Sequence, residues 1–277
     1  MQLSPSSQLL ALIDLALEAG REIMAIYATD FTSAVKADAS PVTLADETAE
    51  RVILAGLALA DPATPVVSEE AAAKGNIPLT ADRFYLVDPL DGTKEFLNRN
   101  GEFTVNIGLI EHGAPVAGVV YAPAAGRLFA GQIGWGAAQA DVAISSKAAD
   151  AIWRPLAVRP APAAGFTVVA SRSHRDAKTD AFIAAVNTAE LRSAGSSLKF
   201  CLIAAGEADL YPRYGRTMEW DTAAGHAVLA AAGGQVVTAN GQPLDYGKRA
   251  RGLDNPAFLA LGHGSLPSIN HFAGIAG

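Results

Sequence analysis

The sequence predicts an α+β protein in two subdomains, and three features of its order carry that reading. Two amphipathic helical segments come first. A set of short apolar strands broken by tight turns follows, with the spacing of an antiparallel sheet. After a Gly/Ala/Pro-rich stretch at residues 131–162, strands alternate with helices. The chain has 277 residues, 50% of them hydrophobic, which suffices for a large core and lies between one domain and two. We place the subdomain boundary in that stretch, giving an N-terminal unit of 1–150 and a C-terminal unit of 151–277.

Leu9, Leu10, Ile13, Leu17, Ile23, Met24 and Tyr27 recur at helical spacing, with Ser6 or Ser7 available as a cap. Pro41 marks a turn after Lys36. Thr43 is placed to cap a second helix that runs to about Ala60, with Asp46 and Glu47 in its first turn, where a helix favours acids. Pro65-Val66-Val67 is a short strand running into Ser68-Glu69-Glu70. Phe84 to Val87 reads as a buried strand that should stop at Pro89, because proline lacks an amide hydrogen and fixes its own φ. Phe103 to Ile110 and Ala117 to Tyr121, with Gly113 between them, read as a hairpin that Leu128 to Ala130 extends.

Beyond the boundary, Phe166 to Ala170 is a strand, followed by a helix to about Asn187. Gly195-Ser196-Ser197 opens another helix, with Leu198, Cys201, Leu202 and Ala205 as its buried face. Asp209 to Tyr211 is a strand, and Trp220-Asp221-Thr222 leads into an Ala-rich helix. Val236-Val237 and Phe258 to Leu261 are the last strands, and the tail after His263 reads as loosely held.

Composition excludes several classes of partner. The net charge of −7, without a basic block, argues against nucleic acid and anionic membrane. A small anionic substrate stays open if a metal reverses the local sign. No apolar run is long enough to span a bilayer, and Asp14 and Glu18 interrupt the N-terminal apolar positions, so that segment does not read as a secretory signal. The single cysteine, Cys201, rules out an internal disulfide; it reads as a small core residue compatible with a reducing cytosol. His112, His226, His263 and His271 show no metal-ligand spacing.

The chemistry centres on Asp88-Pro89-Leu90-Asp91-Gly92-Thr93. Two carboxylates three residues apart at a strand end can converge, and oxygen donors clustered in this way suit Mg²⁺. An Asx-type turn with two solvated acids accounts for the same residues. Glu69 and Glu70 add acids shortly upstream. Ser171-Arg172-Ser173-His174 forms an anion cradle at a strand-to-helix turn, or an ordinary helix cap through Ser173. Asp221 alone reads equally well as a cap.

Together these segments resemble the inositol monophosphatase superfamily of Mg²⁺-dependent, lithium-sensitive phosphatases. A glutamate pair, then D-P-L-D-G-T, then W-D before a late helix occur here in the family's order, as Ser68-Glu69-Glu70, Asp88 to Thr93 and Trp220-Asp221. Within the superfamily the chain is similar to the 3'(2'),5'-bisphosphate nucleotidases of sulfate assimilation. That likeness rests on Lys94-Glu95-Phe96, Arg99 to Ile107, Ser171 to His174, Gly195 to Cys201, Leu210 to Arg213 and Pro243 to Tyr246.

The resemblance implies a layered α/β/α/β/α sandwich and two or three Mg²⁺ ions. One ion would be held by Glu69, Asp88 and the Leu90 carbonyl, a second by Asp88, Asp91 and Asp221. Asp46 and Thr93 would orient the attacking water, and the amides of Gly92 and Thr93 would meet the phosphate. Ser171, His174, Gly195, Ser196, Lys199 and Arg213 would face the nucleotide. It further implies a cytoplasmic monomer or homodimer, with peripheral inner-membrane association as a family variant. A broader inositol or sugar phosphatase, or a silent metal- or nucleotide-binding regulator, are the competing readings.

Overall fold

The computed structural model describes residues 4–29, 33–35, 41–172, 175–263 and 272–275, with the backbone course alone at 33–35 and 41–43. Helix α1 (Ser7–Tyr27), the ribbon β1 (Ser33–Val35) and β2 (Pro41–Thr43), and helix α2 (Leu44–Ala60) come first. Ser6 caps α1, its Oγ accepting from the Leu9 amide at 3.1 Å. Thr43, the expected cap of α2, has its side chain outside the described residues.

A seven-stranded sheet follows. Its strands are β3 (Val66–Ser68), β4 (Arg83–Asp91), β5 (Thr104–Glu111), β6 (Ala114–Ala122), β7 (Arg127–Gln132), β8 (Gly136–Asp141) and β9 (Arg154–Leu156), adjacent in that order. Only β3 and β4 run parallel. Short helices α3 (Glu69–Ala73) and α4 (Thr93–Leu97) flank β4 in the chain.

The second sheet has strands β10 (Phe166–Ser171), β11 (Thr188–Ala194), β12 (Leu210–Arg213), β13 (Gln235–Thr238) and β14 (Phe258–Leu261), in the order β11-β10-β12-β14-β13. Helices α5 (Ala177–Ala185), α6 (Leu198–Ala204) and α7 (Ala223–Ala231) connect them. The change of sheet falls between Leu156 and Phe166. Buried Asp209 pins that crossing, accepting from Arg159 at 2.7 and 2.8 Å and from the Thr167 amide at 2.7 Å.

Strand alternation builds the layers. On β4, Tyr85 and Val87 pack with α1 and α2, while Phe84 and Leu86 face a core that includes α6 and α7. On the second sheet, Val169, Tyr211, Val236, Phe258 and Ala260 face that same middle core. Val168, Leu210, Val237, Leu259 and Leu261 face α5 and Phe272. The result is helix, sheet, helix, sheet, helix, as the family resemblance implies.

Helix α7 lies on the first sheet in a groove of glycines. Gly108 pairs with Gly118, and Gly118 with Gly131, so three adjacent strands lack side chains along one line. A Cβ at Gly118 would stand 2.5 Å from the Ala224 carbonyl oxygen, and one at Gly131 2.6 Å from Val228 Cα. Helix and sheet therefore meet backbone to backbone, which fixes the residues just ahead of α7 against the end of β4.

Four expectations change. Strand β4 does not stop at Pro89 but continues to Asp91 after a bulge. Glu69 and Glu70 begin helix α3 instead of ending a strand. The helix expected to reach Asn187 ends at Ala185, and Thr188–Ala194 forms a parallel edge strand. The tail is held in part: Phe272 is fully buried, its ring 4.5 Å from Tyr214 and 6.0 Å from Phe182. Residues 264–271, His271 among them, lie outside the described residues.

Gly118→Ala should destabilise the protein by about 1–3 kcal/mol, because the added methyl group meets rigid backbone. Urea unfolding checks this; an unchanged midpoint would mean that α7 can shift on the sheet at no cost.

Candidate active site

The β4 bulge brings the two aspartates of the Asp88–Asp91 turn to one face. Asp88 pairs with Asn106 and Asp91 with Thr104, so three steps on β4 match two on β5. In a regular strand residues three apart point to opposite faces, and the extra residue resets the alternation. Pro89, which could not donate to the ladder, sits within the irregularity. Gly92 follows at φ 93° and turns the chain into α4, placing Thr93 at its start.

The other acids arrive from separate elements. Glu69 begins α3, whose first turn is fixed by buried Glu50: Glu50 Oε1 accepts from Ser68 Oγ at 2.5 Å and from the Ala71 amide at 2.9 Å. Glu69 thereby lines the cleft, while Glu70 is buried. Asp46 is fully buried in the first turn of α2 and accepts from Thr93 Oγ1 at 3.4 Å. Asp221 precedes α7. Its carboxylate accepts from the Met218 amide at 2.8 Å, so it closes its own loop and does not cap the helix.

Ser197 joins the two halves. Its Oγ lies 3.1 Å from Asp91 Oδ2, 3.1 Å from Asn106 Nδ2 and 2.7 Å from the Asp221 carbonyl oxygen. Asn106 Nδ2 also donates to Asp91 Oδ2 at 3.3 Å. Asn106, Ser197 and Glu50 have no role in the sequence reading. The first two stand inside motifs noted there. Glu50 follows Asp46 by one helical turn, a spacing that shares a face.

Several of these residues line a cleft of about 330 Å³. One end holds Glu69, Asp88, Leu90, Asp91, Thr93 and Asp221. The other holds Ser171, Ser196, Lys199 and Arg213 together with buried Glu95, with exposed Lys94 and Arg216 at the rim. Gly92 also lines it. Gly195 does not; it lies behind Ser196, and its amide donates to Glu102 at 2.9 Å. His174 is outside the described residues, as is Ser173.

Charge crowding dominates the acidic end. Burial raises Asp88 well above the usual carboxylate range, with Glu69, Asp91, Asp221 and Asp46 adding to the effect. Asp221 is pushed up to about 8 by burial, then by Asp91 and Glu69. Burial raises Asp91 too, against the pull of Lys199, Ser197 and Asn106. Burial lowers Lys199 to about 8, with Asp91 opposing. Its Nζ donates to the carbonyls of Ala194, at 3.3 Å, and Ser196.

Among the described residues, no three acidic, histidine or cysteine side chains are gathered tightly enough to hold a metal ion as they stand. Like charges in a poorly solvated cleft repel. The donors are all carboxylate and carbonyl oxygens. The raised proton affinity of Asp88, Asp91 and Asp221 marks a deficit of positive charge that a hard divalent cation would fill. At the other end, Ser196 Oγ is buried without a hydrogen-bond partner among the described residues.

Known proteins resemble this chain in sequence and in fold. The model of the inositol monophosphatase family matches residues 5–265. The chain is 47% identical over 250 residues to the 3'(2'),5'-bisphosphate nucleotidase CysQ of Escherichia coli strain K12, covering 88% of this chain and 95% of that one. It is 36% identical over 253 residues to the same-named protein of Aggregatibacter actinomycetemcomitans, covering 89% and 90%. The crystal structure of CysQ from Bacteroides thetaiotaomicron matches with a TM-score of 0.78 at 41% identity, over 92% of this chain and 97% of that one. An IMPase of Thermotoga maritima, 24% identical, has the same fold with a TM-score of 0.75 over 95% and 96%. The five layers are shared with these solved structures, and the chain belongs to the inositol monophosphatase family.

Proposed function

We propose that this protein is a 3'(2'),5'-bisphosphate nucleotidase that hydrolyses 3'-phosphoadenosine 5'-phosphate to adenosine 5'-phosphate and phosphate. The observation that carries the reading is a single cleft, acidic at one end and cationic at the other, in a chain 47% identical to CysQ across most of both lengths. The acidic end suits a metal-dependent phosphoryl site, and the cationic end suits the second phosphate of a bisphosphate.

Phosphate monoester hydrolysis needs enhancements of up to about 10²¹-fold. One acid or base contributes roughly 10²–10⁴-fold, which is too little alone. Bound Mg²⁺ would neutralise the phosphate dianion and lower the pKa of water. Glu69, Asp88 and the Leu90 carbonyl would hold one ion, and Asp88, Asp91 and Asp221 a second. Thr93 Oγ1 would accept from the attacking water while donating to Asp46, which orients the water toward phosphorus. The amides of Gly92 and Thr93 would receive the phosphate. The water oxygen bonds to phosphorus, the bond to the ribose 3' oxygen breaks, and that oxygen leaves with a proton. Ser171, Ser196, Lys199 and Arg213 would hold the nucleotide, with Lys199 and Arg213 facing its 5'-phosphate.

Phosphate release from 3'-phosphoadenosine 5'-phosphate should exceed that from inositol 1-phosphate, vanish in excess EDTA and return with Mg²⁺. A preference for inositol 1-phosphate would give the chain the broader phosphatase role. No release from either would leave a silent binding protein. Asp91→Asn should lower kcat by about 100-fold or more, since a metal's stabilisation of the transition state is several kcal/mol. Turnover near wild type would make Asp91 a turn residue only.

The acidic end also predicts a pH dependence without metal. Asp221 titrates from 3.8 in the unfolded chain to about 8 in the fold, so the folded state binds the extra proton between those values. Stability then falls as pH rises from about 4 to about 8. Lys199, lowered from 10.5 to about 8, acts oppositely and only above that range. Burial lowers His226 from 6.5 to about 3, which makes stability rise with pH up to about 6.5 and offsets the Asp221 effect there. Thermal unfolding in EDTA should therefore show Tm decreasing from about pH 6.5 to pH 8, and Mg²⁺ should remove most of the decrease. A flat profile in EDTA would contradict the crowding of these acids.

A further inference from the structure

We infer that Glu102 is a positioning residue for the nucleotide, setting the turn that presents Ser196 to the cleft. This inference rests on the nucleotidase reading and assigns a residue that the metal site does not use. Glu102 lies between α4 and β5, in the first half of the chain, yet its partners are in the second. Its carboxylate accepts from the Gly195 amide at 2.9 Å and from Arg172 at 2.7 and 3.0 Å. Arg172 follows cleft-lining Ser171 and also donates to the Ser193 carbonyl at 3.3 Å. One carboxylate thus ties the ends of β10 and β11 to the loop ahead of β5.

The backbone of Glu102 is as closely engaged as its side chain. A Cβ at Gly195 would stand 2.6 Å from the Glu102 carbonyl oxygen and 2.9 Å from Glu102 Cβ. A Cβ at Gly92 would stand 3.3 Å from that same oxygen. Glu102 is therefore wedged between the turn that holds the acids and the turn that leads to Ser196. The latter turn is under constraint: Ser196 has φ 45°, an unusual value for a residue with a side chain, and Lys199 Nζ donates to its carbonyl. With Lys199 fixing one side and Glu102 the other, the unpartnered Ser196 hydroxyl is held in place before substrate arrives.

Stability alone does not explain the arrangement. The Arg172 side chain is 48% exposed, and ion pairs so exposed contribute little to folding. A small misplacement of a substrate-facing turn, by contrast, costs a large factor in rate or affinity.

Steady-state kinetics on two substrates test this. 3'-Phosphoadenosine 5'-phosphate needs the Ser196 turn; p-nitrophenyl phosphate offers a scissile phosphate without a nucleotide. Glu102→Ala should raise KM for the nucleotide about tenfold, with kcat within about twofold and p-nitrophenyl phosphate hydrolysis within about twofold. Glu102→Gln should recover most of the loss, because an amide oxygen still accepts from Gly195. Arg172→Ala should fall between the two. Equal losses on both substrates, an unchanged nucleotide KM, or a Gln variant no better than Ala would overturn the inference. If Glu102→Ala does not fold, Arg172→Ala decides the matter: its nucleotide KM must rise while p-nitrophenyl phosphate hydrolysis holds. Wild-type protein that fails on the nucleotide but cleaves p-nitrophenyl phosphate overturns the nucleotidase reading itself, and this inference with it.

Discussion

Four carboxylates, Glu69, Asp88, Asp91 and Asp221, line one cleft with a fifth, Asp46, buried behind Thr93, and their repulsion is the constraint around which this fold is arranged. Two charges about 4 Å apart at an effective dielectric of 20 repel by about 4 kcal/mol. A loop could not hold such a group together. Four of the acids accordingly leave from the ends of regular elements whose positions are fixed by packing, α2, α3 and the bulged end of β4, while Asp221 sits just ahead of α7 in a loop that its own carboxylate closes.

The join between the two sheets carries the heaviest part of this load. Asp88 and Asp91 belong to the first sheet and Asp221 to a loop of the second half, so the site exists only if the two register correctly. The glycine groove beneath α7 sets that register coarsely, through close backbone approach along three strands. Ser197 sets it finely, touching Asp91 and the Asp221 carbonyl at once. Behind Asp221 a buried polar network completes the support. Glu219 accepts from the Gly247 and Lys248 amides and pairs with Lys248 Nζ, each at 2.8 Å. Thr222 Oγ1 receives Asn255 at 3.1 Å and Tyr246 at 3.3 Å, and His226 lies 3.0 Å from the Tyr246 hydroxyl. Burial lowers His226 to about 3, so it serves this network as a neutral ring.

What the sequence revealed and what it hid divide along physical lines. Helix α1, the β5–β6 hairpin, β10 and β14 were legible because burial on a known face leaves a period in the apolar residues. The order of the acidic motifs was legible because the chemistry demands those residue types. Strand β11 was not, since Thr188 to Ala194 lies at a sheet edge, mostly exposed, and carries no apolar alternation. The continuation of β4 past Pro89 was hidden as well: local rules stop a strand at proline, and only pairing with β5 shows that a bulge absorbs it. The five layers came from family resemblance, because no local pattern says which face of a helix meets which sheet.

The same division separates the two ends of the cleft. The acidic end is written in short motifs, because each donor must be an oxygen at a fixed place in its element. The other end is written in contacts between distant residues, such as Glu102 with Gly195 and with Arg172. A phosphate looks alike on any alcohol, so an acidic end that holds metal and phosphate, as proposed above, would have no means of telling one monoester from another. Discrimination must therefore come from how rigidly the second end holds its turn, and that rigidity resides in tertiary hydrogen bonds that no single motif records.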